Sequence, residues 1–188
     1  MVFISGPVAP PFEHVDGAVN FMVETTDDMK NHVMRHLGDD TVLIMAAAPA
    51  DYTPAVFSSS KIKKDTAMSL QIVLKPTPDI LMETADAAHA YSNLFRVGFA
   101  AETDHIRENA LKKLKKKDLH WICANMVFRE ATGFGANPNS LLILDRDGSE
   151  AQLGPAEKPD LARSLVDFLE DRISRYAYSS FDGHQRGA

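Results

Sequence analysis

Two spacings of apolar residues take turns along the chain. Short, nearly continuous runs read as strands: VFIS (2–5), AVNFMVE (18–24), TVLIMAA (41–47), SLQIVLK (69–75), LFRVGFA (94–100) and LHWICAN (119–125). Segments with helical spacing separate them. Thr26 is placed to cap a helix over 27–37, with Asp27 and Asp28 in its first turn and Gly38 as its stop. Thr77 and Pro78 form a cap and first-turn pair for a helix over 78–90. DHIRENALKKLKKK (104–117) puts Ile106, Ala110, Leu111 and Leu114 on one side of a helix. A final helix over 159–176 aligns Leu161, Leu165, Phe168, Leu169 and Ile173. SLLILDRDGSEAQL (140–153) reads as a hairpin turning at Asp147–Gly148. The stretches 48–67 and 126–139 read as irregular, and 177–188 as a flexible tail.

Strand–helix alternation around runs as apolar as TVLIMAA predicts strands buried on both faces. The fold class is therefore α/β: a Rossmann-like three-layer sandwich with a mostly parallel sheet and a C-terminal hairpin. Residues 1–176 read as one domain, without a repeat, a low-complexity tract or a dividing linker. Such folds bind ligands beyond the carboxyl ends of their strands. Gly6–Pro7, Ala48–Asp51, Pro76–Asp79, Ala100–Thr103 and Asn125–Phe128 all follow strands, so this rule sends them to one edge.

Composition narrows the function classes. The 188 residues carry a formal net charge of −6, which argues against nucleic acid as a partner. No apolar run is long enough to span a bilayer, and MVFISGPVAPPF lacks the basic start of a secretion signal. A single cysteine, Cys123, excludes an internal disulfide framework, suits a cytoplasmic protein and, within WICAN, reads as a buried inert thiol. His32 and His36 share a helix face, but no HExxH pattern or cysteine pair completes a metal site. The chain has no GxGxxG, GxxxxGK[ST] or GxSxG, which weakens a dehydrogenase or a P-loop enzyme.

Candidate chemistry collects in the loops that follow strands. Asp51 reads either as a turn residue or as an acceptor for a ribose or base amine. Thr77-Pro78-Asp79-Ile80 opens a helix, whose free amides suit phosphate or a polar base edge. Lys113 and Lys117, four apart, share a face that either is a solvated stripe or holds a triphosphate. Phe99 ends a strand, where core packing and base stacking are the alternatives. SSSKIKK (58–64) places three lysines in four positions of an acidic chain, as a solvated loop or as a basic flap closing on an anion.

In this order, SGPV (5–8), AAAPADY (46–52), KIKK (61–64), PDI (78–80), GFAAET (98–103), the lysines of ENALKKLKKK and AN (124–125) resemble the phosphopantothenoylcysteine synthetase domain of coenzyme A biosynthesis, of the bacterial CTP-using type. The resemblance runs from about residue 1 to about 176. It implies a ligase in which the carboxylate of 4'-phosphopantothenate attacks CTP, with Mg²⁺, to give an acyl-cytidylate from which L-cysteine displaces CMP. It also implies that Met45, Ala46, Ala47 and Asp51 line a cytidine pocket, and that Pro78, Asp79, Ile80 and Leu81 present a helix start to the nucleotide. Phe99 would pack against the nucleotide and Lys113 and Lys117 would contact its phosphates. Lys61 is the implied catalytic flap lysine, Lys63 and Lys64 have no assigned role, and Asn125 matches the family pattern. Metal ligands are unspecified. A homodimer is implied, and a decarboxylase as a further domain or separate chain. Three departures stand out. The family's first strand and Gly/Ser-rich NxSSG-type loop have no counterpart before SGPV, Pro49 replaces a small or branched residue, and Met126 replaces aspartate. An alternative is therefore a CTP-binding remnant or split subunit that does not ligate; an unrelated Rossmann-like oxidoreductase is the third reading.

Overall fold

The computed structural model describes residues 1–10, 13–62, 70–102, 104–126 and 139–184. Among them the order is β1 (Val2–Ser5), β2 (Val19–Met22), α1 (Thr26–His36), β3 (Val42–Met45), β4 (Tyr52–Pro54), β5 (Leu74–Pro76), α2 (Ile80–Ala88), β6 (Phe95–Glu102), α3 (Ile106–Lys116), β7 (Trp121–Met126), β8 (Asn139–Asp145), β9 (Glu150–Ala156) and α4 (Lys158–His184). Backbone proximity gathers these into two interleaved units: Met1–Leu37 with Ala47–Thr84, and Gly38–Ala46 with Ala85–Ala188.

The second unit carries a five-stranded sheet ordered β3-β6-β7-β8-β9. Its first three strands are parallel, and β8 and β9 form the expected antiparallel hairpin. Strand alternation assigns the two faces. Phe95, Val97, Trp121, Cys123, Leu141 and Ile143 pack with Leu161, Leu165 and Leu169 of α4. Residues of opposite parity, such as Arg96, point to the other face, where Arg96 reaches the end of α3. The result is a helix–sheet–helix sandwich, as the apolar periodicity predicts. Each large side chain buried in such a core contributes about 1.5–3 kcal/mol. At the hairpin end the buried Asp145 carboxylate accepts from Trp121 Nε1 at 2.6 Å and from the Tyr176 hydroxyl at 3.1 Å. This polar tie joins α4 to the sheet, and α4 continues to His184, past the expected end at 176.

The first unit contains a parallel β1–β2 pair, α1 against β1, and an antiparallel β4–β5 ladder. Several local expectations shift. Thr25, not Thr26, caps α1: it is extended, and its Oγ accepts from the Asp28 amide at 3.0 Å. The helix ends at an extended Leu37 instead of a glycine stop. β4 falls inside a stretch that the sequence leaves irregular, whereas among the described residues of SLQIVLK only Leu74 and Lys75 enter a strand. β3 is not buried on both faces, because Val42 and Ile44 are 41% and 44% exposed. It is the terminal strand of its sheet, and β6 is its sole strand neighbour among the described residues. The predicted loop over 126–139 lies outside the described residues, apart from Met126 and Asn139, which end β7 and begin β8.

Candidate functional site

In the first unit one corner is pinned from both sides. The Thr77 amide donates to the Asp51 carbonyl at 2.9 Å, and the Thr77 hydroxyl donates to the Ala50 carbonyl at 2.5 Å. Tyr52 and Pro76 are paired directly beside this tie. Ala47–Asp51 is thus fixed against the lead-in to α2, and Asp51 stays exposed. Because Thr77 is spent on the tie, Asp79 caps α2 instead: its Oδ1 accepts from the Met82 amide at 3.3 Å. The helix accordingly begins at Ile80, not at 78. Ile80 and Leu81 are buried, so they offer a ligand backbone and not side chains, while Pro78 is half-buried and Asp79 exposed.

The segment between β4 and β5 presents Lys61 in an exposed position. Lys63 and Lys64 lie outside the described residues. Around Lys61 the same arm exposes large apolar side chains: Tyr52, Val56, Phe57, Ile62, Leu70 and Val73 are each at least 60% exposed.

A cavity of about 360 Å³ adjoins the pinned loop. It opens where the chain leaves β1 and β2, and its walls include Pro7, Val23, Glu24, Thr26, Met29 and Pro49. Pattern reading pointed to Gly6–Pro7 but passed over Glu24; its place directly after a strand, on the ligand edge, was the available signal.

In the second unit Met45, the last residue of β3, pairs with Gly98 and is buried, while Ala46 beyond it is exposed. Phe99 is half-buried and packs against the core cluster on the α4 side. Core packing and an exposed edge therefore coexist at this residue. Asn125 stands beside Ala101 near the end of β7, and its Oδ1 is buried with no partner among the described residues.

The lysine pair lies elsewhere in this unit. Arg96, the second residue of β6, is fully buried and donates from Nη1 to the Asp118 carbonyl at 2.9 Å and from Nη2 to the Lys117 carbonyl at 3.0 Å. Lys117 therefore stands level with the amino end of β6, whereas Phe99 lies three residues, about 10 Å, nearer the carboxyl end. Helical spacing put Lys113 and Lys117 on one face but could not say which end of the strands that face adjoins. The structure does not bring the pair together with Phe99.

Among the described residues three titrating groups are strongly perturbed, and none belongs to the predicted site: besides Cys123 and His120, burial and the Asp145 carboxylate push the Tyr176 hydroxyl up to about 12. Burial pushes the Cys123 thiol up to about 12, consistent with an inert thiol. Burial, with the Arg146 and Arg96 charges, pulls His120 down to about 4, opposed by Asp118. His32 and His36 stack at 6.3 Å between ring centroids beside Phe21. Among the described residues no three His, Cys, Asp or Glu side chains gather as metal ligands, and no helix is long and apolar enough to cross a membrane.

Residues 1–173 match the family described as the DNA/pantothenate metabolism flavoprotein C-terminal domain. The chain belongs to this family. Among its relatives, the coenzyme A biosynthesis bifunctional protein CoaBC of Bacillus subtilis is 37% identical over 168 residues, which are 88% of this chain and 40% of that protein. The chain thus spans about two fifths of the length of that curated relative. The crystal structure of the C-terminal domain of a CoaBC protein superposes with a TM-score of 0.69 at 28% identity, covering 93% of this chain and 74% of the other. A Cab2 mutant in complex with phosphopantothenate-cysteine shares the fold, with a TM-score of 0.60 at 15% identity and coverage of 85% and 55%. The flavoprotein C-terminal domain family accounts for the α/β sandwich.

Proposed function

We propose that this domain joins 4'-phosphopantothenate to L-cysteine through an acyl-cytidylate made from CTP, as a step of coenzyme A biosynthesis. A carboxylate oxygen attacks the α-phosphorus and pyrophosphate leaves; the cysteine nitrogen then attacks the acyl carbon, CMP leaves with the bonding pair, and the nitrogen gives up two protons in forming the amide. The observation that carries this reading is the tie from Thr77 to Ala50 and Asp51. It holds an exposed carboxylate and a helix start in one fixed corner, the arrangement that a nucleoside and its phosphates require.

In this reading Met45, Ala46 and Ala47 line the cytidine pocket and Asp51 accepts from ribose hydroxyls or the base amine. The backbone of Pro78–Leu81 faces the nucleotide, and Phe99 packs against it. Lys61 is delivered by the arm to the reacting phosphate, where a cation stabilises developing charge as water is excluded. Lys113 and Lys117 are assigned to phosphate contact on the family resemblance, although α3 carries them toward the amino ends of the strands. Mg²⁺ in such sites is held mostly by phosphate oxygens with one or two carboxylates, and Asp51 and Asp79 are the exposed carboxylates that suit it. When bound, the ion would neutralise charge on the triphosphate. The apolar arm is assigned to contact with a second copy, since a surface of this kind is otherwise costly in water.

Calorimetric titration of CTP and of ATP with Mg²⁺ tests the reading. Selective CTP binding, weakened by Lys113→Ala with Lys117→Ala, supports it. CTP binding without pyrophosphate release on adding 4'-phosphopantothenate would identify a nucleotide-binding module and not a ligase. If Lys61→Gln keeps full turnover, the role given to Lys61 is wrong.

A further inference from the structure

Of the three substrates in the proposed reaction, CTP and 4'-phosphopantothenate are polyanions and only the amino acid carries a cation. This difference in charge bears on the 360 Å³ cavity of the first unit. The described lining has no lysine or arginine; its one charged side chain is Glu24. Asp27 and Asp28 follow in the first turn of α1; Asp27 is paired with Lys30 Nζ at 3.4 Å, so Asp28 is the one that adds negative charge just beyond Thr26. Such a wall repels phosphate and attracts ammonium. Pro7, Val23, Met29 and Pro49 make the rest of the surface apolar, which suits a short thiol side chain and not a sugar. Position agrees with chemistry. The cavity opens after β1 and β2, and Ala47–Ala50, which form part of its wall, continue directly into Asp51 at the proposed nucleotide corner. A nitrogen held here would stand beside the proposed nucleotide corner.

We infer that this cavity is the binding site of the amino-acid substrate, with the Glu24 carboxylate accepting hydrogen bonds from its α-ammonium group and the Val23–Met29 wall receiving its side chain. The inference rests on the proposed ligase reading for its substrate class.

The test is direct binding to the whole chain, followed through the amide resonances of residues 23–29 in an isotope-labelled sample. L-Cysteine and cysteamine, which both carry the ammonium, are expected to shift these resonances, and 3-mercaptopropionate, which lacks it, is not. Glu24→Gln should weaken L-cysteine binding about 10-fold, the loss of one charge-assisted hydrogen bond, and leave the CTP titration unchanged. Glu24 is exposed, so the replacement does not threaten the fold. Absence of shifts with L-cysteine, equal shifts with 3-mercaptopropionate, or indifference to Glu24→Gln would overturn the inference. Failure of the ligase reading shows separately, as absence of CTP binding or of pyrophosphate release.

Discussion

Arg96 offers the sharpest test of how the second unit is held together. Its guanidinium is fully buried and donates to the carbonyls of Lys117 and Asp118, the second shared with Arg146 Nη2 at 3.0 Å, where α3 ends and the chain turns into β7. Burial draws its pKa below the ordinary arginine value, with Asp118 opposing. Arg96→Met keeps much of the stem volume and removes both donors. Hydrogen bonds from a charged donor contribute about 1.5–3 kcal/mol each, and relief of the desolvated charge offsets part of their loss. The expected cost is about 2–4 kcal/mol. Trp121 is the only tryptophan of the chain and lies fully buried in the same unit, so its fluorescence during urea unfolding reports on this unit. With a urea slope of about 1–3 kcal/mol per molar, the midpoint should fall by roughly 1–2 M. Arg96→Lys keeps the charge but places a single ammonium where a fork stood, and should fall between wild type and Arg96→Met. A loss below about 1 kcal/mol for Arg96→Met would refute the reasoning, because the Lys117 carbonyl would then have to be satisfied without it.

His120 predicts a pH dependence. Its folded value of about 4 lies below the ordinary 6.5, so the unfolded chain binds more protons between these values. The stability tied to its neutral form is therefore complete above about pH 6.5, falls as the pH drops toward 4, and does not change further below; partial exposure reduces its size to about 1–2 kcal/mol. His120→Gln should flatten the urea midpoint across that window, and an unchanged profile would count against it. Gly154→Ala should cost at least about 2 kcal/mol, since a Cβ there would lie 2.5 Å from the Asn139 carbonyl oxygen on a backbone with φ of +87°. Gly38→Ala, whose nearest atom is Thr41 Oγ1 at 4.0 Å, is the near-neutral control. Replacing Phe57 and Val73 with serine should lower the solution mass measured by light scattering to that of one chain; an unchanged mass would remove the arm from the subunit contact.

Legibility followed the source of each constraint. β6, α3, β7 and the Asp147–Gly148 hairpin were readable because periodicity and turn chemistry decide them locally. The start of α2 was not, since Thr77, the better cap by sequence, is diverted to Ala50 and Asp51 by a contact 26 or 27 residues back, leaving Asp79 to cap. TVLIMAA reads as doubly buried because composition cannot report that a strand ends a sheet. Of the candidate site, Asp51 and the α2 start share a corner because the antiparallel β4–β5 ladder brings the residue before β4 beside the residue after β5, a pairing that the sequence did not indicate. Lys113 and Lys117 satisfy the same helical spacing at either end of a helix, so sequence alone could not place them. Arg96 was visible only as an oddity, a cation in an apolar strand, and its partners at the end of α3 could not be named from the chain.

The interleaving of the two units has a consequence for synthesis on the ribosome. Val42–Met45 pairs with β6, whose first residue, Phe95, is made roughly 50 residues later. At about 5–20 residues per second, this apolar run waits some 3–10 s before its neighbour exists. During that interval Val42, Leu43, Ile44 and Met45 form an uncovered hydrophobic segment, the kind that holding chaperones grip. Slowing elongation between residues 46 and 95 should lengthen this exposure and lower the yield of soluble product, even though the finished molecule is unchanged.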